Sequence, residues 1–296
     1  MESHDGRQRV VFVLIDGLAH ATAVRMLGFM GGMVESGEAL QARVQSVLPS
    51  LSRPCYATIF TGLPPLVHGV WANDQAARLE VVSIFDLLAR AGRTSAVAGY
   101  HWMSELFSRG PFDHVRDVEQ DGNAEGITHG RFYFNDEYPD QHLFAQAERM
   151  RAERRPDLLV IHPMGCDHAG HRHGSSSREY AATAAQIDFL LAKFVPRWLA
   201  DGYHVVVTAD HGMDEQGFHG GPDDQVRITP LYMLGPSVKR GGATDDVLQQ
   251  TSLAGLLCAL LRLGHPETMG LPDARWRAEW LRDATVGMDE VTVSLT

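Results

Sequence analysis

The sequence predicts a layered α/β fold, and three observations carry that expectation. Short β-rich runs alternate with helical patterns, some of the runs are almost continuously apolar, and acidic or imidazole residues follow several of them directly. Arg9–Ile15 (RVVFVLI) reads as a central strand buried on both faces and stopped by Asp16-Gly17. Residues 41–47, 94–98, 158–161 and 204–208 read as four further strands. Helical periodicity covers 82–90, 141–152, 178–199 and 251–263, with Gly92 and Gly264 as C-terminal stops. Residues 100–138 carry aromatics, glycine and acidic residues without a clear period. They could form a small cap-like insertion over a site, but no linker separates them, so the expectation is a single domain over 1–296.

Composition narrows the function. In 296 residues, 26 Lys and Arg stand against 37 Asp and Glu, a formal charge of −11, which argues against a nucleic-acid polymer as partner. A 44% hydrophobic and 21% charged composition is that of a globular protein with a sizeable core. Cys55, Cys166 and Cys258 are too few and too scattered for a disulfide framework or a thiolate zinc site, which favours a reducing compartment. Against those 3 cysteines there are 15 histidines, so His and carboxylates would have to hold any metal. The polar start shows no basic segment leading into an apolar one, and the apolar runs fall far short of the ~20 residues that span a bilayer. The expectation is a cytoplasmic protein with no membrane partner.

In an open α/β sheet, ligands bind beyond the carboxyl ends of the strands. Asp16 follows RVVFVLI, Asp210-His211-Gly212 follows HVVVTA, and Asp167 and His171 lie in what reads as a loop after DLLVI. Seven of the 15 histidines, His219 among them, fall between residues 162 and 219. Asp and neutral His are the ligands of divalent ions in catalytic sites, and three of each divide into two sites. Taken singly, an Asp after a strand is as readily a cap or turn residue, and a loop His is as readily hydrogen-bonded structure. Ser52 stands at an N-cap position with Pro54 early in the following helix. A hydroxyl there faces the positive end of the helix, where a phosphate, or an alkoxide attacking it, is stabilised. The plain alternative is a capping serine.

In this order the pieces resemble the alkaline phosphatase superfamily, specifically its nucleotide pyrophosphatase/phosphodiesterase-like branch. They are Asp16; Ser52-x-Pro54 with Thr61-Gly62 and His68-Gly69 downstream; Asp167-x-x-Gly170-His171; Asp210-His211-Gly212-Met213; and a final His219. The likeness covers roughly residues 9–235. It implies a three-layer sandwich, a mostly parallel central sheet flanked by helices. Carried over position by position, it implies that Asp167, His171 and His219 hold one divalent metal ion. Asp16, Asp210 and His211 would hold a second, with the Ser52 oxygen as the ligand facing it. The two ions would be Zn²⁺, with Mn²⁺ or Fe²⁺ also suited to Asp and His. The implied reaction is hydrolysis of a small phosphoryl ester, a phosphate diester first, by Ser52 attack on phosphorus, with a phosphoseryl intermediate opened by water.

Departures from the family pattern define the alternatives. The nucleophile position, usually Thr, is Ser52, and the Asn expected three residues later is Cys55, whose thiol is a weak donor. Arg53 could compensate with its guanidinium fork or point to solvent. A local similarity to phosphonoacetate hydrolase runs from Thr61 to Gly69 and includes Asn73, so Arg53, Cys55 and Asn73 stand as candidate substrate-binding residues. That enzyme grips a carboxylate with lysines of a cap, whereas 100–138 here has no Lys, only Arg109, Arg116 and Arg131. Cleavage of a carbon–phosphorus bond is therefore the alternative. Sulfatases mature a Cys or Ser to formylglycine with an Arg where this chain has Tyr56, which sets sulfatase activity further off. An inactive metal-binding homologue would have had no need to keep all six ligands and the hydroxyl. Tyr100, Trp102, Phe107, Phe132, Tyr133 and Phe134 could stack on a base or aryl group, or pack as core.

Overall fold

The computed structural model describes residues 7–239 and 241–282, so most of the polar start read at 1–9 lies outside it. Nine strands are present: β1 (Arg9–Ile15), β2 (Leu40–Gln45), β3 (Ser95–Tyr100), β4 (Glu119–Asp121), β5 (His129–Tyr133), β6 (Leu158–Ile161), β7 (Tyr203–Ala209), β8 (Ile228–Leu234) and β9 (Ala243–Gln249). They form one sheet in the order β4-β5-β3-β6-β1-β7-β8-β2-β9. Only β4 and β8 run against the other seven, so the sheet is mostly parallel. The helices are α1 (His20–Met26), α2 (Gly28–Glu35), α3 (Ser52–Thr61), α4 (Pro65–His68), α5 (Ile84–Arg90), α6 (His101–Phe107), α7 (Asp140–Arg154), α8 (Gly165–His173), α9 (Arg178–Ala200), α10 (Asp224–Arg227), α11 (Leu253–Leu261) and α12 (Ala274–Trp280).

Alternation along β1 builds the layers. Val10, Phe12 and Leu14 enter one core with α3, α5, α6 and α11, while Val11, Val13 and Ile15 enter another with α1, α2, α7 and α9. Each wholly buried side chain of this kind is worth about 1.5–3 kcal/mol against exposure, which fixes the strand between two helical layers. The result is the three-layer sandwich the sequence implies. No helix among the described residues is long and apolar enough to cross a membrane.

The five strands read from the sequence are all present, β1 and β6 to the residue and the other three with ends shifted by one or two residues. Helix 251–263 is instead a 3₁₀ turn at Gln250–Ser252 followed by α11, and Arg262, at φ 53°, closes it in the left-handed conformation before Gly264 is reached. The segment read as a loop after β6 is helix α8, which puts Asp167 and His171 one turn apart on a single face. Its run of glycine and histidine has little helix propensity, which is why no period shows. Within 100–138, α6 is followed by β4 and β5, which extend the sheet beyond β3.

Candidate active site

The central order β6-β1-β7 brings three carboxyl ends side by side. Ile15 lies in register with Ala209, so Asp16 and Asp210 emerge together, and the Gly17 N–H donates to Asp210 Oδ1 at 3.1 Å. Gly17, at φ +69°, also lets the chain pass α8: a Cβ there would come within 2.8 Å of the Asp167 Cα. The loop after β7 returns to the segment preceding α3 through the Ser50–Gly220 bridge and a hydrogen bond from His219 Nδ1 to the Ser50 carbonyl (2.9 Å). That return carries His219 back beside α3.

Two groups of three result, Asp16 with Asp210 and His211, and Asp167 with His171 and His219; in each, one ligand atom per residue lies within 4.8 Å of the others. Sequence reasoning grouped them the same way. The first group is buried, while in the second His171 is exposed. The rings of His211 and His219 stack across the two groups, centroids 3.7 Å apart.

Hydrogen bonds set the tautomers. Nδ1 of His171, His211 and His219 each meets a backbone carbonyl, of Gly217, Gly212 and Ser50, at 2.8–2.9 Å. A carbonyl only accepts, so each Nδ1 carries the proton and each Nε2 presents a lone pair inward, as metal-binding histidines do. His171 Nε2 and His219 Nε2 then face each other at 3.2 Å, an arrangement that a shared cation relieves. Asp16 Oδ1, Asp167 Oδ1 and Asp210 Oδ2 are buried without a hydrogen-bond partner. Bare carboxylate oxygens and inward lone pairs are the donor set a divalent ion takes, so the residues fit such ions.

The electrostatics agree. Burial, and then the Asp16 charge, push the carboxyls of Asp210 and Asp167 well above the ordinary range. Burial also acts to raise Asp16, but the His162 hydrogen bond and the neighbouring imidazoles outweigh it and hold this carboxyl at about 2. Burial and the neighbouring His219 take His211 down to about 3. Three acidic side chains shut from water beside one another are short of positive charge.

Ser52 is the first residue of α3, and Leu51, not Ser52, stands at the cap. The Ser52 hydroxyl turns to His211 Nε2, 3.1 Å away, so it is not spent on its own helix. Every residue of α3 is buried, and Gly62, at φ +70°, closes it. Of the downstream motif, His68 serves packing: its Nδ1 accepts the Val70 N–H, and its Nε2–H meets Thr58 Oγ1 at 3.0 Å.

The candidate substrate-binding residues divide. Asn73 Oδ1 accepts the Arg53 N–H at 3.0 Å, which ties its loop to the first turn of α3. Arg53 points neither to solvent nor to open space. Its guanidinium is buried against Glu105, donates to the Gln75 carbonyl at 2.7 Å and lies over the Trp102 ring. Cys55 is fully buried, and burial followed by the Asp210 charge raises its thiol far above the ordinary value. All three cysteines are free. Trp102, Tyr100 and Tyr133 form successive ring contacts, while Phe107 and Phe132 belong to the core.

The neighbours of Asp16 escaped the sequence reading. Tyr56 donates its hydroxyl to Asp16 Oδ2, and His162 Nε2 lies 3.0 Å from the same oxygen. Tyr56 falls one helical turn after Ser52 and His162 directly follows β6, and those two positions are the signal that could have pointed to them.

The architecture is that of an α/β protein with an alkaline phosphatase-like fold. More narrowly, residues 10–225 match the model of the type I phosphodiesterase / nucleotide pyrophosphatase family, and the chain belongs to that family of phosphoryl-transferring and hydrolytic enzymes. Among curated relatives, the human GPI ethanolamine phosphate transferase 2, catalytic subunit, is 24% identical over 277 residues, 88% of this chain and 27% of the relative. GPI ethanolamine phosphate transferase 3 of Eremothecium gossypii is 40% identical over 142 residues, 41% of this chain and 14% of the relative. The chain thus spans about a quarter or less of the length of these relatives. Among solved structures, murine ectonucleotide pyrophosphatase / phosphodiesterase 5 aligns with a TM-score of 0.72 at 14% identity, covering 93% of this chain and all of that one. A 2-O GAG sulfatase aligns at 0.67 and 16% identity, covering 93% of this chain and 74% of its own. At these identities the structural likeness is one of fold.

Proposed function

We propose that the chain is a two-metal-dependent hydrolase of phosphate diesters or related phosphoryl esters, acting through Ser52. The observation that supports this most is the Ser52 hydroxyl, 3.1 Å from His211 Nε2, on a buried helix and beside two Asp/His groups. Asp16, Asp210 and His211 would hold one ion and Asp167, His171 and His219 the other, with Zn²⁺ favoured over Mn²⁺ or Fe²⁺. Bound there, divalent ions supply positive charge against the attacking and leaving oxygens of an in-line displacement.

The chain's own residues do the rest. Ser52 Oγ forms a bond to phosphorus as the bond from phosphorus to the leaving alcohol breaks, and water then cleaves the phosphoseryl ester and restores the hydroxyl. Packing of α3 on all sides holds Oγ in one position, and Asn73 pins the turn that follows it. With the Arg53 fork taken by Glu105 and Gln75, phosphoryl charge falls to the metal groups and the positive end of α3. A carboxylate grip for carbon–phosphorus cleavage has little support, since Arg109, Arg116 and Arg131 each pair with acidic residues of their own segment. A second reading rests on the transferase names of the curated relatives: the phosphoryl group passes from Ser52 to an alcohol instead of water.

Hydrolysis of bis(p-nitrophenyl) phosphate with Zn²⁺ or Mn²⁺, with and without an added alcohol, tests both. Ser52→Ala is expected to lose at least about a thousandfold in rate while keeping the ion of Asp167, His171 and His219 and holding the one Ser52 faces more weakly. Equal rates in the two proteins would remove Ser52 from the mechanism. A new phosphodiester of the added alcohol would favour transfer.

A further inference from the structure

We propose that Tyr56 and His162 are positioning residues that restrict Asp16 to a single metal-binding oxygen. The proposal rests on the metal reading above and concerns how this chain shapes one ligand. Asp16 is wholly buried, and its two oxygens are treated differently. Oδ2 receives the Tyr56 hydroxyl and, at 3.0 Å, His162 Nε2, whereas Oδ1 has no hydrogen-bond partner and lies 3.5 Å from His211 Nε2. His162 donates there because its Nδ1 accepts the Tyr100 N–H at 3.3 Å, which leaves the ring proton on Nε2.

Both donors are themselves held. The Tyr133 hydroxyl donates to the His162 carbonyl at 2.7 Å, and the Tyr56 ring meets the His162 ring edge-on at 4.9 Å. A Cβ on Gly99 would come within 3.0 Å of the His162 Cβ, so the glycine lets His162 pack directly against β3. β1, α3 and the end of β6 therefore converge on one carboxylate oxygen. With Oδ2 occupied by one N–H and one O–H donor, chelation through both oxygens would need those hydrogen bonds broken inside a dry site. Asp16 can present Oδ1 alone, in one direction. A one-oxygen carboxylate suits an ion with few ligands, such as tetrahedral Zn²⁺, and disfavours Ca²⁺, which takes six to eight oxygens.

Calorimetric titration of Zn²⁺ into metal-free protein, paired with the absorption spectrum of the Co²⁺-loaded form, tests this. Tyr56→Phe and His162→Leu are each expected to weaken one of two bound ions by about 10–100-fold and to change the Co²⁺ spectrum of that ion alone. His162→Gln, which keeps an N–H donor, is expected to stay within a few-fold of wild type. A purely structural role would lower thermal stability without singling out one ion. In a wild type that binds two ions, unchanged binding by both donor-deleted variants overturns the proposal. So does equal weakening of the two ions, or His162→Gln binding as poorly as His162→Leu. If His162→Leu does not fold, Tyr56→Phe decides alone. A wild type that binds no ion would instead overturn the metal reading, and this inference with it.

Discussion

Arg53 illustrates what a residue's neighbours in sequence conceal. Next to Ser52 it reads as a phosphate ligand or a solvent-facing charge, yet it is 3% exposed and paired with Glu105, itself 4% exposed. Glu105 also accepts the Phe112 N–H at 3.1 Å, so the pair links α3 to α6 and the turn beyond it. A guanidinium shut from water is tolerable only while its partner is present. Glu105→Ala is therefore expected to destabilise the protein by about 3–5 kcal/mol in chemical denaturation, far more than an exposed pair would cost. The double variant Arg53→Met with Glu105→Leu should recover most of that loss, because no charge is left stranded. A cost below about 1 kcal/mol for Glu105→Ala would place the pair among surface contacts. Nothing local in the sequence joins positions 53 and 105, although a Glu inside the apolar run Met103, Leu106, Phe107 hints at a buried partner.

At the scale of elements, legibility followed burial. β1 and β6, apolar throughout because both faces are covered, were readable to the residue. β9 and the three-residue β4 lie at the sheet's edges and have exposed, polar sequences, while β8 carries Pro230, which ordinarily argues against an interior strand. The two Asp/His groups were legible because strand ends are fixed by the apolar runs before them; the partners that orient Asp16 were not, because those come from distant elements. α8 shows the same dependence. Met164 at its cap offers no side-chain hydrogen bond, and the Met164 and Gly165 N–H groups instead donate to the carboxylate of Asp140 in the first turn of α7. A side chain on Gly165 would collide with Asp140 Oδ2 at 2.3 Å, so the glycine admits this cap from another helix. Burial raises Asp140 to about 6, so its stabilising contribution is complete below pH 4 and is lost as pH rises through 6. Asp140→Asn keeps an acceptor without the charge. It should unfold at the same midpoint as wild type near pH 4 and be more stable by up to about 3 kcal/mol at pH 7.5. Thermal melts across that range check it, and parallel wild-type and variant curves would refute it.

For the whole molecule, the large histidine content has a consequence apart from the ligand groups. His68, His101 and His204 lie in three separate places, after α3, at the start of α6 and within β7, and burial lowers each to about 4. All three are neutral in the folded chain at pH 6, where unfolded histidines with a pKa near 6.5 are mostly protonated. The unfolded state thus binds more protons between pH 6.5 and 4. Stability from this source is complete above 6.5 and lost as pH falls towards 4. Each group contributes a slope approaching about 1.4 kcal/mol per pH unit, and the raised carboxyls, Asp140, Asp167 and Asp210 among them, oppose with the other sign. The expected share of these three histidines is a loss of stability that begins as pH falls below 6.5. His204→Gln isolates one share, since His204 is enclosed within the sheet with its Nε2 3.0 Å from the Gln8 side chain. Denaturation of the metal-free protein at pH 7 and pH 5 should show a drop for the wild type that is smaller by about 1–2 kcal/mol in the variant. An identical drop in both would mean that His204 becomes charged as readily in the folded chain as in the unfolded one.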